Sequence, residues 1–293
     1  MVVVILLTGL AVIGLGWAVA LIHTARARGQ FAPDGESIVL GAVTNFFDTL
    51  GIGSYAPTTA WLKLRSMVPD RFIPVILNAG HGIPTVVQAA IFINLVRVEP
   101  WLLAACIAAA VAGAVVGAPI VLRLPVRVVQ GVVGAALLIA ATMYALTNLH
   151  LMPGGGSALT LPPASFALAV AAYFFLGALM TCGIGLYAPS LIMLSLMGLD
   201  PKAAFPVMMG ACAFLMPASG LGFLRAKGVD LRVVIGITLG GVPAVLLAAL
   251  VVKSLPLEWI RWGVVVVVLY AAFILLRSAA QATPRPVQIV AAE

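Results

Sequence analysis

The sequence predicts an all-α polytopic membrane protein, with two inverted repeats and one extra N-terminal transmembrane helix. Of its 293 residues, 63% are hydrophobic and 9% are charged, and the mean hydropathy is +1.19. That exceeds what a soluble domain needs to build a core. A short phrase also occurs twice, 132 positions apart: residues 51–57 read GIGSYAP and residues 183–189 read GIGLYAP.

The repeated phrase predicts a break inside an apolar helix. Its two glycines permit a turn that residues with a Cβ resist, and its proline suits the first turn of a new helix. We therefore expect a new half-helix to begin after Pro57 and another after Pro189. In lipid, such a break is tolerated only where protein or a water-filled cavity surrounds it. A duplicated broken helix is a sequence pointer to a transporter's binding site.

Seven apolar runs are long enough to cross a bilayer, which takes about 20 residues. They are residues 3–22, 72–95, 101–122, 126–148, 203–224, 231–252 and 257–277. Two further segments, 38–66 and 166–197, carry the breaks. The halves of the first would each reach only about 20 Å. Each pair either crosses once as a kinked helix or dips in and returns as a re-entrant hairpin.

The positive-inside rule favours re-entrant hairpins. If both broken segments cross, the sixteen Lys and Arg divide eight against eight, whereas two re-entrant segments divide them twelve against four. We therefore predict an extracytoplasmic N-terminus and a cytoplasmic C-terminus. Residues 166–182 are nearly long enough to cross, so mixed topologies stay open.

This topology divides the chain into five parts. An N-terminal transmembrane helix (1–30) precedes repeat 1 (37–149), a linker (150–164), repeat 2 (165–278) and a cytoplasmic tail (279–293). The repeats would be inverted, a common plan for alternating access. Small-residue spacings such as Gly113 to Gly117 and Gly236 to Gly240 are primarily helix-packing signals. Cys106, Cys182 and Cys212 lie in apolar surroundings and are expected to be reduced and buried.

Asp48 is the one acid well inside an apolar segment, three residues before the first break. A charge at bilayer depth costs about 2.5–3.5 kcal/mol, so it is a functional candidate. The alternative is a structural hydrogen bond that caps the broken backbone. Thr44, Asn45 and Thr49 join Asp48 on one polar edge.

His81 is the only histidine inside a predicted spanning helix, with Asn78 three residues before it. Asp48 and His81 are candidate proton-coupling groups. The alternative is that His81 makes structural hydrogen bonds inside the protein. At 132 positions beyond Asp48, Asn78 and His81 stand residues that cannot titrate.

The breaks also predict the sign of a ligand. Two new half-helices would point their positive N-terminal ends at the membrane midplane, where an anion fits. Hydroxyl donors from both copies can add to them, although the tyrosines could equally fill space. The predicted substrate-binding residues are Thr44, Asn45, Gly51, Gly53, Ser54, Tyr55, Asn78, Gly183, Gly185, Tyr187 and Ser190.

From about Ser37 to Arg277, the chain resembles the sulfite exporter TauE/SafE family, also called the 4-toluene sulfonate uptake permease family. The resemblance rests on the paired breaks, their prolines, the later Gly-rich helices, and the strings NFFDTLGIG (45–53) and NAGHGIPT (78–85). Typical members have three glycines after the break, where this chain has Ser54-Tyr55 and Leu186-Tyr187. The resemblance implies transport of sulfite, sulfonates or related sulfur anions across the inner membrane.

We therefore expect a secondary transporter of a small anion, with a passive anion channel as the alternative. No phosphate-binding loop is visible, so direct drive by ATP is not expected. An intramembrane enzyme is disfavoured because no nucleophile pair or metal cluster accompanies Asp48 and His81. The basic residues are scattered singly, which argues against nucleic-acid binding. The expected partners are the anion and the lipid bilayer, without a cofactor or metal, and a homo-oligomer stays open.

Overall fold

The computed structural model describes residues 1–69, 72–117, 126–149, 156–181, 183–225, 228–254 and 257–281. These residues form eleven α-helices and contain no β-strand. The helices are α1 (Val2–Ala27), α2 (Gly35–Thr49), α3 (Tyr55–Leu64), α4 (Ile73–Leu95), α5 (Pro100–Ala112), α6 (Val126–Asn148), α7 (Pro163–Thr181), α8 (Tyr187–Leu196), α9 (Pro201–Arg225), α10 (Leu231–Ser254) and α11 (Leu257–Gln281). A π-helical turn, Gly113–Gly117, continues α5.

Both repeated phrases interrupt a helix, and glycines supply the turn. Gly51, Gly53 and Gly183 have φ of 91°, 86° and 87°, a region that side chains with a Cβ rarely adopt. The new helices begin before the prolines and not after them, at Tyr55 and Tyr187, so each proline is the third residue of its helix. Proline is tolerated there because the first N–H groups of a helix have no intrahelical acceptor.

After each break the chain runs back toward the place where the broken segment began. Glu36, in the first turn of α2, accepts hydrogen bonds from Trp61 Nε1 (3.0 Å) and Arg65 Nε (2.7 Å), which belong to the far end of α3. Leu199, just after α8, forms a β-bridge with Ala158, which precedes α7. Each broken segment is therefore folded back on itself.

The loops gather at two ends of the helix bundle. At the first end, the backbone N–H of Leu231 donates to Gln30 Oε1 (3.2 Å), and residues 67–69 and 228–230 line one cleft with Arg28. At the second end, the N–H of Glu99 donates to the carbonyl of Leu159 (3.1 Å), beside the bridge at Leu199. The α3 segment returns to the first end, and α8 returns to the second.

Close helix packing explains most of the buried glycines. α4 and α9 pack together at the centre, α2 packs along α10, α5 along α7, and α6 along α11. A Cβ on Gly41 would overlap the backbone of α10 at Ile237, and a Cβ on Gly240 would overlap the carbonyl of Ile38 in α2. A Cβ on Gly113 would overlap the carbonyl of Phe174. The small-residue spacings are thus confirmed as packing signals.

The helices fit a multi-pass membrane protein. Among the described residues, five stretches are long and apolar enough to cross a bilayer: Val2–Ala27, Ile73–Leu95, Pro163–Thr181, Pro201–Gly220 and Leu231–Val251. One of them is α7, which the sequence predicted as a half-helix. Cys106 and Cys212 are buried and free. Cys182 and the tail beyond Gln281 lie outside the described residues.

Candidate functional site

The two helix breaks face each other inside the bundle. A Cβ placed on Gly53 would lie 3.8 Å from the Cβ of Tyr187, and a Cβ placed on Gly185 would lie 3.6 Å from the Cβ of Tyr55. This reciprocal contact brings the first residues of α3 and α8 together, although they are 132 positions apart in the chain.

A cavity of about 390 Å³ adjoins the paired breaks. Its walls also come from one face of α3, from α6 and from α11. The predicted site residues that line it are Asp48, Gly53, Ser54, Tyr55, Gly183, Gly185 and Tyr187. Seven of the predicted residues thus lie on the cavity wall, and tertiary structure supplies the other walls.

Asp48 lies in a hydrogen-bond network that joins the two breaks through α4. Gln88 Nε2 donates to Asp48 Oδ2 (3.0 Å) and to Thr49 Oγ1 (2.9 Å), while Tyr187 Oη donates to Gln88 Oε1 (2.7 Å). Ser54, the N-cap of α3, bonds the Asp48 carboxyl through its side chain and its backbone N–H. Asp48 thus both caps the break and lines the cavity.

His81 lies beside the cavity and joins the two halves of the first broken segment by hydrogen bonds. Its Nδ1 is 3.0 Å from Asn45 Oδ1 in α2, and its Nε2 is 3.0 Å from Thr58 Oγ1 in α3. The Asn45 amide N–H₂ donates to the carbonyl of Gly41, which leaves Oδ1 as the acceptor. This assigns the proton to Nδ1 and makes Nε2 the acceptor of the Thr58 hydroxyl in the neutral ring.

The remaining predicted site residues do not line the cavity. Thr44 donates to its own helix at the Leu40 carbonyl, and Asn78 donates to the Pro74 carbonyl. Ser190 is hydrogen-bonded to Tyr173 Oη. The set outside the cavity is Thr44, Asn45, Gly51, Asn78, His81 and Ser190.

Gln88, Thr58 and Tyr173 form hydrogen bonds with predicted site residues, and the sequence did not single them out. The sequence did contain a pattern that indicates Gln88. One polar stripe runs along an otherwise apolar α4 at helical spacing, and it consists of Asn78, His81, Thr85 and Gln88. All four are buried. Thr58 and Tyr173 carried no comparable pattern, since neither belongs to a polar stripe at helical spacing.

The two tyrosines at the breaks differ in the partners of their hydroxyl groups. Tyr55 Oη is buried and has no hydrogen-bond partner within the described part of the chain, although a buried hydroxyl normally has one. Its counterpart Tyr187 is bonded to Gln88.

The cavity opens toward the first end of the bundle. Lys63 and Leu64, at the end of α3, and Gln281, at the end of α11, lie on its wall. Toward the second end, α8 packs against α6 and α11. Leu191, Ile192 and Ser195 of α8 are each at most 2% exposed, so the path is closed on that side.

The comparison with protein families fits this architecture. Residues 165–292, somewhat less than half of the chain, match the model of the sulfite exporter TauE/SafE family. This match supports the TauE/SafE resemblance. It covers the second broken segment and the helices that follow, and a TauE/SafE relationship implies membrane transport of sulfur anions such as sulfite. Searches of curated proteins and of solved structures gave no match.

Proposed function

We propose that this protein is a secondary transporter of a small sulfur-containing anion, such as sulfite, an organosulfonate or a related oxyanion. Transport would follow alternating access, with the substrate bound between the two breaks. The reciprocal contact of Gly53 with Tyr187 and of Gly185 with Tyr55 carries this proposal. The TauE/SafE match supports the substrate class. The chain would lie in a bacterial inner membrane, with its N-terminus outside and its C-terminus in the cytoplasm.

Helix direction supports an inverted repeat with two re-entrant hairpins. Phe92, near the end of α4, stacks on Phe205, near the start of α9, with ring centroids 5.4 Å apart. These two helices, counterparts in the proposed repeats 37–149 and 165–278, therefore run antiparallel. If a two-fold axis relates the repeats, α2 corresponds to α7 and α5 corresponds to α10. The pair α2–α10 should then have an equivalent pair α7–α5, and both pairs are packed together. The two broken segments return to opposite ends of the bundle.

The helix starts support an anionic substrate. α3 and α8 begin at the wall of the cavity, and the first N–H groups of a helix lack intrahelical acceptors and carry the positive end of its dipole. Pro57 and Pro189 have no N–H, so the donors at this surface come from the two residues before each proline. Tyr55, one of the predicted hydroxyl donors, has no hydrogen-bond partner among the described residues.

The packing favours a carrier over a channel. A channel needs a path that is continuous between the two ends, but α8 seals the second end against α6 and α11. In a carrier, an exchange of roles between α3 and α8 would open the second end and close the first. In the proposed carrier, the sealed state would be one of two alternating arrangements.

Purified protein in proteoliposomes is expected to accumulate radiolabelled sulfite above its external concentration when an ion gradient is imposed. A protonophore should abolish this accumulation if protons are the coupling ion, as we propose. Liposomes without protein provide the baseline. Equilibration of sulfite that never exceeds the external concentration, under any proton or sodium gradient, would favour the channel.

Asp48→Asn is expected to remove the dependence of sulfite uptake on an imposed pH gradient. The amide keeps the size of the side chain but cannot bind and release a proton. Initial rates with and without the gradient measure the effect. Asp230→Asn, at the exposed start of α10, is the matched control. If the double variant Asp48→Asn, His81→Ala keeps full pH-dependent transport, neither residue couples protons.

A further inference from the structure

The mouth of the cavity, where it opens at the first end of the bundle, is lined by two basic side chains. They are not part of the proposed binding site between the breaks. Lys63 of α3 and Arg277 of α11 both line the cavity wall. Among the described lining residues, Asp48 is the single acid, and it lies at the breaks. Lys63 and Arg277 are thus the cations among the described residues that line the mouth.

Helical spacing explains why these cations share one opening. Ala56, Ala60 and Lys63, at intervals of four and three residues, lie on one face of α3 together with Thr59. On α11, Tyr270, Ile274, Arg277 and Gln281 do the same. Both faces turn toward the cavity.

The mouth is separate from the contact between the breaks. Lys63 is eight residues beyond Tyr55, so its backbone lies about 12 Å farther along α3. Even an extended lysine side chain covers only part of that distance. A small anion held at Lys63 and Arg277 would thus occupy a different place from one held at the helix starts.

Polar groups near the two cations can complete a site. Gln130 of α6 lines the same cavity, and its side-chain oxygen is buried without a partner in the described residues. A rotated amide would offer N–H donors to an anion. Ser278 adds a hydroxyl to this wall. A mouth lined by one sign of charge, with low-dielectric walls, concentrates ions of the opposite sign.

The second broken segment has no such cation. Ser195 stands 132 positions after Lys63, at the matching place on α8, and is 1% exposed. Its hydroxyl has no partner in the described part of the chain. An exchange of roles between α3 and α8 would therefore open a path without the lysine at the second end.

We propose that Lys63 and Arg277, with Gln130 and Ser278, form a second anion subsite at the mouth of the cavity. It captures an oxyanion that arrives from the first end and passes it to the breaks. This inference rests on the proposed function and deepens it: the transporter has a lower KM for anions arriving at the first end than at the second.

The test measures sulfite transport from each end separately, in proteoliposomes sorted by protein orientation. Lys63→Gln and Arg277→Gln are each expected to raise the KM from the first end about tenfold, a typical loss for one charge-assisted contact. The KM from the second end should stay within about twofold. Lys63→Arg should restore much of the affinity. The wild-type KM should rise with ionic strength more steeply than that of the double variant.

Arg232→Gln is the matched control, because Arg232 is exposed at the same end and does not line the cavity. Sulfite, sulfate and thiosulfate binding to detergent-solubilised protein is measured in parallel. A double variant Lys63→Gln, Arg277→Gln with wild-type KM and Kd overturns the subsite. So does a wild-type protein that binds none of the three anions. Binding that needs both cations, without any transport, supports the subsite and instead refutes the proposed transporter.

Discussion

Gly240→Ala is expected to destabilise the folded protein strongly, although alanine is the better helix former. Alanine favours a helix over glycine by about 1 kcal/mol, which alone would stabilise α10. At Gly240, however, the new Cβ would overlap the Ile38 carbonyl oxygen and crowd the Ala42 N–H of α2. Backbone atoms cannot move aside as a flexible side chain can. Overpacking of this kind typically costs about 1–3 kcal/mol and at Gly240 should reach or exceed the upper value.

The measurement is thermal unfolding in detergent, with sulfite uptake as the functional assay. Gly16→Ala in α1 is the control, because a Cβ there has nothing within 4 Å. It should keep or slightly raise the midpoint of unfolding, whereas Gly240→Ala should lower it by several degrees and reduce uptake. A Gly240→Ala protein as stable as Gly16→Ala would contradict the close contact of α2 with α10.

Gln88→Met is expected to reduce sulfite uptake about 100-fold. Methionine fills a similar volume but removes the groups that bond Asp48, Thr49 and Tyr187. Each buried partner left unsatisfied costs about 1–3 kcal/mol. Two such losses, near 3 kcal/mol together, correspond to about two decades in rate if they fall on the positioning of the breaks.

Asn94→Ala is the control for Gln88→Met. Asn94 lies on the same helix and donates to the Ala90 carbonyl, but it is exposed and remote from the network. Its replacement should leave the uptake rate within about twofold of wild type. Initial rates and unfolding midpoints are measured on both variants. Normal uptake by Gln88→Met would mean that the network between the breaks has no part in transport.

Much of the helical architecture was predictable because lipid imposes a simple rule. Runs of about 20 apolar residues and glycines within them define spans and breaks without reference to any distant contact. Residues 126–148 were predicted with the bounds that α6 has, and both breaks occur where the phrase placed them. The exact helix starts after the breaks were missed, because proline is accepted throughout the first turn and does not mark its first residue.

The candidate site was predicted less completely. The phrase indicated Gly53, Tyr55, Gly185 and Tyr187 as substrate-binding residues, and all four line the cavity, because a break in lipid must be lined by protein or water. It gave no information on α6 and α11, which contribute Gln130, Arg277 and other wall residues. Those side chains are ordinary polar groups in sequence, and they gain a role only by packing beside α3.

His81 illustrates the limit of reading single residues. A histidine in an apolar helix can either carry protons or make structural hydrogen bonds between helices. Its two hydrogen bonds, to Asn45 and Thr58, join three helices and leave it off the cavity wall. Because those partners are 36 and 23 residues away, no local pattern could distinguish the two roles.

The amino-acid sequence by itself determined that this chain is a helical membrane protein with two interrupted helices, because hydropathy and backbone freedom are properties of neighbouring residues. Only the tertiary structure decided that the interruptions touch, that Gln88 links them, and that the cavity opens beside Lys63 and Arg277. These features depend on which helices pack together. That choice is made by contacts, such as that of Gly240 with Ile38, between residues about 200 positions apart.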